Sequence, residues 1–221
     1  MEILRRKKIN YFQKYFIKFK LFSQHQFPYQ AAVLSFLPSI GGSALCGGSV
    51  LSNRHILTAA HCVDGATSGT IIVGAHFISN ANEPNQRRVA FGGADFRMHE
   101  SWDPSLIRND VAIVRTPTVF VLNQFIVPVT LPRTDELNES FSGENGVVSG
   151  WGVFSDSIGS SSDVLRFVYD NIMTNTACSI RFPGVIQASN ICVTGTSGRG
   201  ACSGDSGKRE MFYEWTLYLI P

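Results

Sequence analysis

The chain has 221 residues, 44% of them apolar and 16% charged, which fits one globular unit and requires no second domain. Its net charge of +2 is unevenly spread: residues 1–20 hold seven Lys/Arg against Glu2, net +6, and the remainder carries −4. No basic stripe continues into the body, which excludes a nucleic-acid footprint, and no run has the apolar length of a membrane span.

In chain order, residues 1–25 form a basic, aromatic block. As a helix it would put Lys14 and Lys18 on one face and Phe12, Phe16 and Phe19 on another, the pattern of a membrane-surface helix. The plainer reading is a leader without structure of its own. Arg5, Arg6, Lys7 and Lys8 form the basic start of a signal peptide, yet Lys14, Lys18 and Lys20 interrupt the apolar stretch and no small-residue cleavage site follows. From Gln26 onward short β-type runs are predicted at 31–37, 48–51, 55–58, 70–73, 87–98, 111–114, 147–150, 164–174 and 190–193. The breaks between them are Gly41-Gly42, Asp64-Gly65, 82–85, 128–132, 142–146 and the Ser-rich 155–162. Short strands at this spacing predict a sandwich or barrel, not a βαβ sheet. A single short helix is predicted at 175–181, capped by Thr174 or Asn175. Asn138-Glu139-Ser140 is an acceptor sequence for N-glycosylation.

Five cysteines stand at Cys46, Cys62, Cys178, Cys192 and Cys202, without a C-x-x-C pair, so zinc and thioredoxin-type readings are weak. Two disulfides and one leftover thiol fit the count and point to an oxidising compartment. The chemistry-bearing signal is three short motifs in the order His, Asp, Ser: Leu57-Thr58-Ala59-Ala60-His61-Cys62, then Asn109-Asp110-Val111-Ala112-Ile113, then Cys202-Ser203-Gly204-Asp205-Ser206-Gly207. A serine hydroxyl needs a base to take its proton, and the base needs a carboxylate to fix its tautomer and stabilise the imidazolium. Glycines around Ser206 allow backbone N–H groups to turn toward a developing oxyanion. Taken singly, a lone His is more often structural, an Asp-Ser-Gly a turn, and an Asn-Asp before an apolar run a strand start. It is the ordered set, with Cys62 adjoining His61, that points to catalysis.

These motifs resemble the three catalytic signatures of the trypsin/chymotrypsin family of serine proteases, and His…Asp…Ser is that family's chain order. Supporting segments are Gln26-Phe27-Pro28-Tyr29-Gln30, Cys46-Gly47-Gly48-Ser49-Val50 and Ser149-Gly150-Trp151-Gly152. The resemblance covers residues 26–207, between the 1–25 leader and a 208–221 tail unlike the family. It implies an all-β fold of two antiparallel six-stranded barrels, the second incomplete. His61 would act as general base and acid, Asp110 would orient it, and Ser206 would attack the scissile carbonyl. The N–H groups of Gly204 and Ser206 would form the oxyanion hole. Cys46 would pair with Cys62 and Cys178 with Cys192, leaving Cys202 free. Gly200 and Ala201 would sit at the specificity pocket, whose base lacks the carboxylate of trypsin-like members, so a chymotrypsin-like preference of the insect digestive type is expected. Asp205 would be the carboxylate that the activated N-terminus pairs with, but the matching register reads Phe16-Ile17-Lys18-Phe19, not the family's Ile-Val-Gly-Gly. With that and the short tail, low activity is expected for the chain as written. The resemblance further implies a secreted monomer acting on proteins or peptides and met by protease inhibitors, without cofactor or metal. The competing reading is a non-catalytic binding or decoy protein of the same fold.

Overall fold

The computed structural model describes residues 26–136, 139–154 and 159–195. The leader, Asn138 and the 208–221 tail lie outside them. The described chain is all-β apart from one short helix and two 3₁₀ turns. Strands β1 (Gln30–Leu37), β2 (Gly42–Val50), β3 (His55–Thr58), β4 (Ser68–Val73), β5 (Arg87–Gly92), β6 (Phe96–Met98) and β7 (Ala112–Arg115) form one sheet. Strands β8 (Asn145–Gly150), β9 (Arg166–Met173) and β10 (Cys192–Val193) form a second.

The first sheet has the order β5-β4-β1-β2-β3-β7-β6, antiparallel throughout. Its two edge strands, β5 and β6, are consecutive in the chain and joined only by residues 93–95. Three residues reach no more than about 10 Å, so the sheet has to roll until its edges come near each other. The seam is fastened by Gly92 N donating to Asp95 Oδ2 at 2.7 Å, Arg115 N donating to Asp95 O at 2.7 Å, and an edge-to-face pair of Phe91 and Phe96. The expected first barrel is thus a rolled sheet. It counts seven strands because the 87–98 run divides at this corner.

Why β1 and β4 read as continuous apolar runs follows from their place in the roll. Val33, Ile71 and Val73 point into the rolled core with Val50, Ile56 and Val114. The alternate residues Ala32 and Ile72 point outward into a second cluster with Trp151 and Leu165. Both faces are covered, so the usual polar alternation is absent. A third cluster, Phe27, Val147 and Phe167 with Tyr29 beside it, extends this contact toward the second sheet.

The two sheets are also stitched by buried polar bonds. Ser149 Oγ of β8 donates to Gln30 Oε1 of β1 at 2.7 Å. The carbonyl of His76 accepts from the Trp151 indole at 3.2 Å and from Leu165 N at 2.9 Å. That carbonyl belongs to the loop after β4, which is organised by one buried side chain. The Glu83 carboxylate accepts from His76 N at 2.9 and 3.0 Å, from Phe77 N at 3.1 Å and from the Gln86 amide at 3.2 Å. The second sheet has three strands and does not close among the described residues, which matches a double barrel with an incomplete second half. Its helix, α1 (Asn175–Arg181), is capped by Thr174, whose Oγ1 accepts from Ala177 N at 3.1 Å.

One close approach in the roll is testable. A Cβ on Gly69 of β4 would lie 2.3 Å from Phe91 Cζ and 2.4 Å from the Leu34 carbonyl oxygen, whereas one on Gly42 would meet nothing nearer than 3.8 Å. Gly69→Ala is therefore expected to lower stability by about 1–3 kcal/mol, the usual range for overpacking. Gly42→Ala should stay within about 0.5 kcal/mol of the parent. Urea denaturation with a common slope measures both.

Candidate active site

The pairing of β3 with β7 brings two distant segments to one place. Thr58, the last residue of β3, lies opposite Ala112, the first of β7. Three residues beyond Thr58 comes His61, inside the 3₁₀ turn Ala60–Cys62. Two residues before Ala112 comes Asp110. Registry alone thus sets the two side chains at the same end of the sheet.

There they make a two-point contact. Asp110 Oδ1 accepts from the backbone N–H of His61 at 2.8 Å, and Asp110 Oδ2 accepts from His61 Nδ1 at 2.5 Å. The Asp110 side chain is 1% exposed and that of His61 26%. A carboxylate only accepts, so the bond places a proton on Nδ1. Nε2 comes within 3.5 Å of Cys62 Sγ, a disulfide sulfur with no proton to give. The ring is thereby held at its Nδ1 side by a buried carboxylate. The contact with the His61 main chain, in addition to the ring, has no signal in the motif.

The turn carrying His61 is tied down from the other side. Cys62 is bonded to Cys46 of β2, with Cα atoms 6.1 Å apart, and Cys178 of α1 is bonded to Cys192 of β10, 6.3 Å apart. Cys46, His61 and Cys62 place ligand atoms within 4.8 Å of one another. Both sulfurs are spent in the disulfide, so the group offers no thiolate to a metal ion.

Beside Asp110 lies a cavity of about 490 Å³, lined from both the rolled sheet and the second sheet. Asp110, Arg108, Tyr29 and Ser49 line it from the first half, and Val185 and Gln187 from the segment between α1 and β10. Burial, with the neighbouring Tyr169 adding to it, pushes the Tyr29 phenol up to about 12, so its hydroxyl stays neutral at ordinary pH. Two residues beside Asp110 adopt left-handed backbone: Ile107 at φ 52° and Asn109 at φ 54°. Asparagine accepts that conformation readily, whereas a β-branched isoleucine there is an outlier. Nothing in the sequence marks Ile107 in this way.

Ser206, Gly204, Asp205, Gly200, Ala201 and Cys202 lie outside the described residues. The described part of the expected constellation is therefore the base and its orienting carboxylate, together with the two disulfides.

Comparison with known proteins gives concordant results. A family model described as Trypsin matches residues 17–208. Brachyurin of Leptuca pugilator is 40% identical over 185 residues, which cover 83% of this chain and 75% of that protein. A chymotrypsin of Phaedon cochleariae is 34% identical over 185 residues, covering 83% of this chain and 64% of that one. The chain spans less than two thirds of the length of that chymotrypsin, of a collagenase of Hypoderma lineatum and of a serine protease of Drosophila melanogaster. Among solved structures, a 1.7 Å structure of HL collagenase superposes with a TM-score of 0.76 at 32% identity, covering 86% of this chain and 78% of that one. A structure described as GrC gives a TM-score of 0.77 at 27% identity, over 86% and 82% of the two chains.

Because the Cys46–Cys62 bond closes a loop of 16 residues, its removal is expected to cost about 3 kcal/mol through loop entropy. The double variant Cys46→Ser/Cys62→Ser should show this deficit in denaturant titrations. Added reductant should bring the parent toward the variant and leave a smaller effect on the variant itself.

Proposed function

The chain belongs to the trypsin family of serine proteases, and from that premise we propose that it cleaves peptide bonds through an acyl-enzyme formed on Ser206, with His61 as base and Asp110 as its orienting carboxylate. The observation that carries this reading is the two-point contact between Asp110 and His61, which holds the imidazole by its Nδ1 side and by its main chain. In the first step Nε2 takes the Ser206 hydroxyl proton as Oγ bonds to the substrate's carbonyl carbon. The oxyanion that forms accepts hydrogen bonds from the N–H groups of Gly204 and Ser206. Collapse breaks the C–N bond, and the leaving amine receives the proton from Nε2. A water molecule, deprotonated by the same nitrogen, then releases the acyl group and restores the serine.

Asp110 contributes by staying ionised and buried behind the ring. It stabilises the imidazolium that forms twice per turnover, and its bond to the His61 main chain keeps the carboxylate from following the ring when the ring moves. Asp205, next to the nucleophile, is the carboxylate proposed to pair with the N-terminal amine of the activated enzyme. Gly200 and Ala201 at the base of the specificity pocket supply no negative charge. The pocket therefore favours large apolar or aromatic side chains over Lys or Arg. The relatives named chymotrypsin and collagenase are in keeping with that direction. An extracellular setting agrees with membership of this family, and secretion is the corresponding proposal. Among the described residues no helix is long and apolar enough to cross a membrane.

A fluorophosphonate probe tests the reading directly. It should label the parent chain at Ser206, at the low rate that the Phe16-Ile17-Lys18-Phe19 register implies, and fail to label His61→Ala. Asp110→Asn keeps the shape of the carboxylate but favours the wrong imidazole tautomer, and should lower kcat by about 10⁴, the magnitude that the chemistry of this triad carries. Substrates with Phe, Tyr or Leu before the scissile bond should be cut faster than their Arg counterparts. A folded chain that stays unlabelled, with both disulfides intact, would instead be a non-catalytic binding protein of this fold.

A further inference from the structure

The loop that delivers Asp110 also delivers a cation that the triad does not use. Arg108 lines the cavity two residues before Asp110. Its main chain is fixed by a reciprocal pair of hydrogen bonds with Asp103, at 3.0 and 3.1 Å, which closes a short loop over residues 103–108. On either side stand Ile107 and Asn109 in their left-handed conformations. Strain of this kind persists where surrounding structure over-determines it, and it gathers at ligand-binding segments. Here it fixes the direction in which a single side chain between two constrained residues leaves the backbone.

Among the described residues the guanidinium Nε is left without a partner. Arg108 Nε is shielded from solvent and has no hydrogen bond. The two ion pairs among the described residues are His61–Asp110 and Arg133–Asp135, and neither involves it. The carboxylates of the surrounding loops each have at least one oxygen engaged elsewhere, and among the described residues none is paired with Arg108. Asp110 is held by His61, Asp103 Oδ1 accepts from Ser105 N and Leu106 N, and Asp64 Oδ2 accepts from the Trp102 indole. A shielded guanidinium nitrogen without an acceptor is costly unless something outside the chain supplies one. Ile107, Leu131, Val185 and Gln187 in the cavity are apolar or neutral, and the titratable side chains that share its lining with Arg108 include His99 and Asp110.

We propose that Arg108 is a specificity-determining residue that receives an acidic side chain, Asp or Glu, of the peptide bound in this cleft. The proposal rests on the protease reading of the same cavity and adds a charge requirement to it. Arg is suited to the role because its planar fork meets a carboxylate with two parallel hydrogen bonds. Consecutive Cα atoms are about 3.8 Å apart, so Arg108 begins within about 8 Å of Asp110 along the chain.

Binding tests this without requiring turnover. The full chain carrying Ser206→Ala is titrated with fluorescent, end-blocked octapeptides that differ only in Glu against Gln at one position at a time. Blocked ends remove terminal carboxylates as an alternative source of the anion. At one position Glu is expected to bind about tenfold tighter than Gln, the gain shrinking as salt is raised. Arg108→Gln in the same background abolishes the difference, and Arg108→Lys retains part of it. Equal affinities at every position, a preference that survives Arg108→Gln, or no binding of any peptide overturns the proposal. Circular dichroism checks that each variant is folded, and Arg108→Lys provides a readout if Arg108→Gln is not. Probe labelling of the parent at Ser206 is read in parallel. Labelling without a Glu preference removes the charge requirement alone, whereas a Glu preference without labelling removes hydrolysis alone.

Discussion

A carboxylate with almost no access to water has to be met by donors, and Asp110 is met by two from the same residue. The ends of β3 and β7 close around this contact, so the geometry of the rolled sheet and the geometry of the base are one problem with one solution. Removing the His61 ring would leave a buried charge with only a main-chain donor, a loss of several kcal/mol by the usual cost of stranded ions. The reverse dependence also holds. The imidazole is fixed because the carboxylate is immobile, and the carboxylate is immobile because Thr58 and Ala112 are in register. The Cys46–Cys62 bond then ties the same turn to β2, so three adjacent strands of the sheet bear on one ring.

How much of this is legible in the sequence depends on how local the cause is. The strand His55–Thr58 and the helix Asn175–Arg181 coincide with their predicted ranges because β-branched and capping residues act within a few positions. The start of β2 is missed. Gly41-Gly42 reads as a break, yet Gly42 already pairs with Leu37 of β1, and the turn is the 3₁₀ segment Pro38–Ile40 closed by Gly41 at φ 60°. The run 87–98 reads as one strand, but its two halves pair with opposite edges of the sheet, β5 with β4 and β6 with β7. Only the closure of the roll decides that, and closure is not a local property.

The site divides in the same way. His61 and Asp110 are found by motif because the chemistry demands those residue types in that order. The second bond of Asp110, to the main chain of His61, is invisible, since any residue at position 61 would offer that N–H. The left-handed Ile107 is invisible for the opposite reason: propensity argues against it, and only the tertiary setting imposes it. The coupling of the two sheets through Gln30, Ser149 and Trp151 has partial signals. A tryptophan in a Gly-Trp-Gly segment announces burial, while the partner carbonyl of His76 cannot be guessed.

The loop after β4 carries one more implication. Its main-chain donors at His76 and Phe77 converge on the single side chain of Glu83, and Gln86 joins them from the far side. With the base of the loop satisfied by one residue, positions 80–82 near its tip owe little to the fold, and Asn82 is exposed. Closing a longer loop costs only about 0.6 kcal/mol for each doubling of length. Lengthening that tip therefore costs little by loop entropy, while replacing Glu83 would leave three donors, His76 N, Phe77 N and the Gln86 amide, short of their acceptor. The loop also reaches the segment before β9, where Ser79 N and Ile78 N donate to Asp163.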